Sequence, residues 1–302
     1  MTRLALDRGL DVTVLVRPGR RDRLTMPGSG ARPVVVEGDL TDPGMLARAM
    51  DGQGRVISCL ASRTGVPRDA WAIDHAATCA AIDAAEAAGV GHFTLLSAIC
   101  VQKPRLAFQH AKLAAEAHLA ASGLAWSVVR PTALMKSLSG QAARLRRGKP
   151  FLVFGTGEET ACTPISDRDL ADFLLGCASD DARHGQVLPV GGPHPALTQL
   201  EVGRQLAGAL GVPFRVRRVN PRLLRRIARA LDLAGALSPR LRDKAELARI
   251  GHYYATESML VWDGARYRAD LTPAHGEDTL ADHFAALARG ERADDRGDHA
   301  VF

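Results

Sequence analysis

"MTRLALDRGLDVTVLVRPGRR", residues 1–21, reads as a helix running into a strand. Leu4, Ala5 and Leu10 are apolar, Arg3, Asp7 and Arg8 are polar, and Gly9 is the residue type that stops helices. Val12–Val16 is an apolar, β-branched run closed by Arg17, the pattern of a strand buried in a parallel sheet. A helix feeding such a strand is the second half of a βαβ unit. No strand precedes it in this sequence, so the downstream pattern has to be read around a gap.

The same rhythm then repeats. Strands are predicted at Pro33–Glu37, Arg55–Cys59, His92–Leu96 and Ala125–Val129, and helices at Asp42–Met50, Trp71–Ala88, Leu106–Ala121 and Leu134–Arg147. Thr41 is expected to cap the first of these helices, with Pro43 just inside its start. Strand–helix alternation with short turns specifies an α/β fold, a doubly wound parallel sheet. After Pro150 the rhythm loosens. A hairpin is expected around Gly155-Thr156-Gly157, a helix over Asp167–Cys177 capped by Ser166, and a strand in "QVLPVGG" (186–192). From Thr198 onward the pattern is mostly helical, with a strand at Phe214–Val219 and a polar tail over 289–302.

Composition narrows the class. With 302 residues, 46% of them apolar and 24% charged, the chain is an ordinary globular protein. Its apolar stretches fall short of the roughly 18 residues that a spanning helix needs, and no signal-like segment opens it, so a cytoplasmic setting is expected. The five cysteines contain no C-x-x-C pair and the ten histidines no paired ligand spacing, which argues against a disulfide framework and a metal site. The net charge of +6 is uneven: Arg144, Arg146, Arg147 and Lys149 cluster, as do Arg222, Arg225, Arg226 and Arg229, then Arg240, Arg242 and Lys244. These are solvated helix faces, or surfaces for an anionic ligand or a membrane. Without interleaved aromatics or a binding motif they do not suit nucleic acid.

In such sheets ligands sit at the carboxyl ends of the strands. Those ends carry a consistent set. "RPGRR" (17–21) offers Arg17, Arg20 and Arg21 to a ribose 2′-phosphate, and "EGDLTD" (37–42) offers Asp39 and Leu40 to an adenine. "SCLASRTG" (58–65) supplies the small Ser58, Ala61 and Ser62, past which a nicotinamide half approaches the backbone, and "LLSAIC" ends a further strand with Ser97. Together they point to a dinucleotide, with the arginines favouring NADP over NAD.

The segments "SCLASRTG", "DAWAIDHAAT", "LLSAICVQKP", "FQHAKLAAEAHL", "VVRPTALMKSLSGQ", "TPISDRDLADF" and "ELARIGHYYATESML" extend this pattern. Through them the sequence resembles the atypical short-chain dehydrogenases and, within these, the NADPH-dependent divinyl chlorophyllide 8-vinyl reductases, from about Val12 to His283. The resemblance implies a Rossmann-like sheet that lacks its first strand, joined to a smaller, mostly helical substrate-binding part. It divides the chain into an incomplete NADP-binding domain over 1–150 and a substrate-binding part over 151–302, with 160–192 returning to the main sheet. Family members begin with a strand and a glycine-rich G-x-x-G-x-x-G turn ahead of the helix that opens this sequence. Losing a central strand leaves backbone groups unpaired, so the expectation is a mis-assigned start with native sequence ahead of Met1.

Short-chain enzymes usually work through Tyr-x-x-x-Lys; here the corresponding helix reads Phe108-Gln-His-Ala-Lys112. The resemblance therefore implies Lys112 on the nicotinamide ribose, Ser97 orienting substrate or nicotinamide, and Pro131 beside the cofactor. The tyrosine is dispensable where hydride adds to a vinyl group conjugated with a macrocycle, because the charge is spread over the ring. The proton then comes from water or a side chain, with Lys136, His110 and Lys103 as candidates in that order. Leu134, Met135, Phe151, Phe154, Tyr253, Tyr254 and Met259 are candidate walls for a flat tetrapyrrole, and Arg130, Arg144 and Arg147 candidates for its propionate. Two other functions fit the same scaffold: another atypical reductase acting on a conjugated double bond, and a non-catalytic NADP-binding regulator. The oligomeric state is not readable from the sequence.

Overall fold

A computed structural model describes residues 1–21, 30–235 and 238–291. The outer stretch of the polar tail, 292–302, lies outside them. The chain opens with α1 (Thr2–Asp7) and β1 (Thr13–Val16), and Gly9 between them takes the left-handed φ of +74° that a side chain disfavours. Then come β2 (Val34–Glu37), α2 (Pro43–Met50), β3 (Arg55–Ser58), α3 (Pro67–Ala70), a π-helical stretch Trp71–Ala77 and α4 (Thr78–Ala87). β4 (His92–Leu96), α5 (Ala107–Ala121) and β5 (Ala125–Pro131) complete the regular part.

β3, β4, β5 and β8 (Gln186–Val190) form a four-stranded parallel sheet in that order. β1 and β2 form a separate parallel pair, with Thr13 opposite Val34 and Val16 opposite Glu37. Among the described residues no backbone ladder joins β1 to β3. The two pieces are held together by side chains. Leu15 and Val56 pack on one cluster with Leu46, Ile82, Phe93 and Leu119, and Gln53 Nε2 donates to Thr13 Oγ1 at 3.3 Å. α1 lies against α8 (Asp167–Cys177), where Arg8 meets Asp172. The other face of the main sheet is covered by α8, whose Leu170 and Leu174 pack with Val129, Ile165 and Val190.

The strand predictions hold to within a residue or two, but several helix and turn readings need correcting. The cap of α2 is Asp42, whose side chain accepts the Gly44 N–H; Thr41 instead turns back to Asp39 through its amide and hydroxyl. The helix predicted from Trp71 starts at Pro67 and widens to π geometry before α4. The helix predicted over Leu134–Arg147 is broken into α6 (Met135–Leu138), a 3₁₀ turn Ser139–Gln141 and α7 (Ala142–Arg146). Its start is pinned sideways, the Met135 amide donating to Ile165 O. No hairpin forms around Gly155-Thr156-Gly157. β6 (Phe151–Phe154) pairs in parallel with β10 (Val216–Val219), and β7 (Ala161–Cys162) antiparallel with β9 (Leu197–Thr198). The turn itself is wrapped around the Glu159 carboxylate, which accepts the Thr156 and Gly157 amides.

The remaining elements are α9 (Gln199–Ala209), α10 (Pro221–Gly235), α11 (Pro239–Thr256), β11 (Val261–Trp262), β12 (Tyr267–Arg268) and α12 (Leu280–Ala288). α9, α12 and β6 share a core of Phe151, Val153, Leu206, Phe284 and Leu287. α11 reaches back to α5, placing Ile250 and Tyr253 on Phe108 and Cys100. Among the described residues no helix is long and apolar enough to cross a membrane.

Candidate active site

α5 supplies the centre of the site because three positions at helical spacing, Phe108, Lys112 and Glu116, share its inner face. Its start is fixed by Gln109, fully buried, which accepts the Arg105 and Leu106 amides and donates to Cys100 O. Lys112 Nζ lies 2.9 Å from Asp74 Oδ1, with side-chain exposures of 12% and 1%. Asp74 comes from the π-helical stretch, a geometry that recurs at functional sites, and it also accepts the Ser62 amide at 3.3 Å. One buried carboxylate therefore links the loop after β3 to the lysine of α5.

One turn further on, Glu116 is buried beside the end of β4. It accepts the Ser97 hydroxyl and is held by Arg130, whose Nη2 lies 2.5 Å from Oε2 and whose Nε lies 3.2 Å from Oε1. Ser97 is thereby aimed by a serine–glutamate–arginine chain. Leu60, Asp74, Leu96, Ser97 and Lys112 line one small pocket at the carboxyl ends of the strands. Two buried oxygens have no protein partner, Asp74 Oδ2 in the pocket and Ser58 Oγ at the end of β3. Buried acceptors of this kind call for a donor-bearing ligand such as a ribose, so the residues fit a dinucleotide.

The other sequence candidates fall into three groups. Arg17 is exposed and Arg20 half-buried in the turn after β1, and among the described residues no ion pair occupies either. Asp39 and Leu40 follow β2, the Thr41 amide and hydroxyl holding the Asp39 carboxyl below the ordinary carboxylate range. Ala61 is exposed beside buried Ser62, and buried Pro131 ends β5 opposite Val190. Lys136 is 42% exposed and paired with Asp167 at 3.2 Å. Burial pushes the Cys59 thiol up, partly opposed by the charges of the N-terminus, Lys112 and Lys136.

Other candidates are committed elsewhere. Lys103 is bound to Glu257 at 2.6 Å and lies 4.0 Å above the Trp262 ring, and His110 faces solvent. Arg130 is paired with Glu116, which removes it as a ready partner for a propionate, and Arg144 donates through Nε to Pro150 O. Met135 and Phe151 are core of the C-terminal part, so they cannot wall a ligand slot. Cys100 is packed, and burial pushes its thiol up. The two acids that organise the site, Asp74 and Glu116, were not singled out from the sequence. Glu116 had a usable signal, since it lies one helical turn after Lys112 on the same face.

Fold and site together define a dinucleotide-binding protein of the doubly wound class. Residues 1–181 match the NAD(P)H-binding family. The NADPH-dependent quinone oxidoreductase QOR2 of Escherichia coli, solved with NADPH, has the same fold, with a TM-score of 0.65 at 19% identity over 94% of each chain. Far closer in sequence is the chloroplastic divinyl chlorophyllide a 8-vinyl-reductase of Oryza sativa subsp. indica, 40% identical over 318 residues, covering 100% of this chain and 78% of the rice protein. The Cucumis sativus protein of the same name is 46% identical over 255 residues, 82% of this chain and 61% of its own length. The chain belongs to the divinyl chlorophyllide a 8-vinyl-reductase family.

Proposed function

We propose that this protein reduces the 8-vinyl group of a divinyl chlorophyllide to ethyl with NADPH, in chlorophyll or bacteriochlorophyll biosynthesis. The observation that carries this reading is identity of 40% or more to reductases of that name across most of the chain. The site's chemistry agrees with it. Position 108 is phenylalanine, buried among Cys100, Ile250 and Tyr253, so the helix position that usually carries the proton-donating phenol has none, and the Tyr253 hydroxyl is spent on Cys100 O. A carbon–carbon double bond in conjugation with a macrocycle spreads its charge and does without that donor.

In this reading residues 1–150 hold the nucleotide and 151–302 help hold the pigment. A bound nicotinamide supplies the hydride. Lys112, fixed by Asp74, holds the nicotinamide ribose and keeps positive charge beside the reacting centre. Ser97, fixed by Glu116 and Arg130, orients the ligand that reaches the end of β4. Arg17 and Arg20 grip a 2′-phosphate, Asp39 and Leu40 border the adenine, and Ser58, Ala61, Ser62 and Pro131 line the cofactor's path. Lys136, with Asp167 beside it, delivers the proton to the second vinyl carbon. A cytoplasmic setting with peripheral contact at a membrane surface belongs to the same reading.

The test is turnover of a divinyl chlorophyllide with NADPH, followed by the blue shift and mass gain of the ethyl product. Wild-type protein should form it, and Lys112→Ala should be slower by about a hundredfold or more. Oxidation of NADPH with no change in the pigment would overturn the substrate assignment.

A further inference from the structure

α10 carries two apolar stripes where a packed surface helix needs one. The first, Leu224, Ala228, Leu231 and Gly235, is buried or half-buried in the hairpin with α11, which Arg249 pins to Asp232 at 3.0 Å. The second faces water: Leu223 is 50% exposed and Ile227 40%, with exposed Ala230 one turn on, and Leu233, 83% exposed, ends the neighbouring row. Beside this stripe run Arg222, Arg226 and Arg229, all exposed, and among the described residues none of the three has an acidic partner. The one acid of the helix, Asp232, is taken by Arg249.

An exposed apolar stripe edged by unpaired guanidinium groups matches an anionic lipid surface: apolar side chains enter the acyl boundary while arginines meet phosphates. A second copy fits less well, because two-fold packing of this face sets one row of arginines against another with no acid between. We propose that α10 is a peripheral membrane anchor, with Leu223, Ile227 and Leu233 inserted into an anionic bilayer and Arg222, Arg226 and Arg229 at its headgroups. The proposal gives the peripheral contact of the proposed function a place in the fold, and because its observations lie on α10, vesicle binding tests it apart from pigment turnover.

The experiment is co-sedimentation of the full chain with phosphatidylcholine vesicles, with and without phosphatidylglycerol. Wild type should bind the anionic vesicles and lose most of that binding in the neutral ones, each surface arginine contributing roughly fivefold. Leu223→Ser/Leu233→Ser should lower partitioning by at least about tenfold. These positions touch neither core nor cofactor site, so melting temperature and NADPH binding should stay at wild-type values. Arg222→Glu/Arg226→Glu should abolish the preference for phosphatidylglycerol. Vesicle binding that survives the serine pair, or wild-type protein that ignores anionic vesicles, would overturn the proposal. So would light scattering that shows a dimer split into monomers by the serine pair, since that assigns the face to a second copy.

Discussion

Asp74→Asn removes the charge opposite Lys112 while keeping the side chain's shape and its acceptor for the Ser62 amide. At 2.9 Å the pair attracts with about 6 kcal/mol at an effective dielectric constant of about 20, most of it offset by the cost of burying both groups. Removing one partner forfeits the attraction and keeps the burial cost. Asp74→Asn should therefore destabilise the protein by about 3–5 kcal/mol, a large part of the roughly 5–15 kcal/mol that holds a domain folded. Asp74→Leu and Lys112→Met, the two singles of the cycle, should do similar damage. Asp74→Leu/Lys112→Met removes both charges and should recover most of the loss, because replacing a buried pair with apolar groups is close to neutral. Urea midpoints read the stability, and NADPH-dependent turnover reads the function. Stability should return in the double variant and activity should not. Single losses that simply add, with coupling below about 0.5 kcal/mol, would show that the two groups do not act as a pair and would refute the argument.

Three further outcomes are expected. Arg17→Ala should weaken NADPH roughly tenfold or more and spare NADH, since a charged hydrogen bond to the 2′-phosphate is worth ~1.5–3 kcal/mol; equal loss for both cofactors in a binding titration contradicts that role. Glu116→Gln should loosen both Ser97 and Arg130, lowering turnover more than it raises the KM for NADPH; unchanged steady-state kinetics would show that Ser97 needs no fixing. His92, stacked on His184 and bonded to Ser127, is held down to about 4, first by burial and then by the charges of His184 and Arg55. Its folded value lies below the unfolded one, so its contribution is intact above about pH 6.5 and declines as pH falls toward 4, by about 3 kcal/mol at most. Urea midpoints across that range should fall less steeply in His92→Gln, and an unchanged slope would contradict the assignment.

The sheet was legible because its strands are short β-branched runs between turn residues, a signal carried by each segment alone. Asp42 took the cap from Thr41 because Asp39 competed for the threonine, a contest between neighbours that cap preferences do not rank. The hairpin expected at Gly155 failed because Phe151 and Val153 face a core built largely by α9 and α12, more than forty residues downstream. In the site, Lys112 and Ser97 lay in recognisable segments, whereas their partners became visible only in three dimensions. Asp74 sits in a helix whose widened turn brings its carboxylate to the lysine, and nothing in "DAWAIDHAAT" announces that geometry. Arg130 looked free for a ligand until Glu116 was found against it.

Among the described residues β1–β2 is a small unit that shares no backbone ladder with the larger sheet and meets it through side chains. A pair held to the sheet by side chains alone should open more readily than the four-stranded ladder, so in the 302-residue chain the amides of β1 and β2 should exchange with deuterium before those of β4. In the proposed binding mode one nucleotide spans both units, its 2′-phosphate on the small one and its nicotinamide end on the large one. Such a ligand binds tightly only when both are closed, so cofactor concentration sets how long the small unit stays folded. Protease resistance around Arg17 should then rise with NADPH long before the melting of the main sheet changes, and occupancy of the cofactor site would be read as protection of Thr13–Val16 and Val34–Glu37.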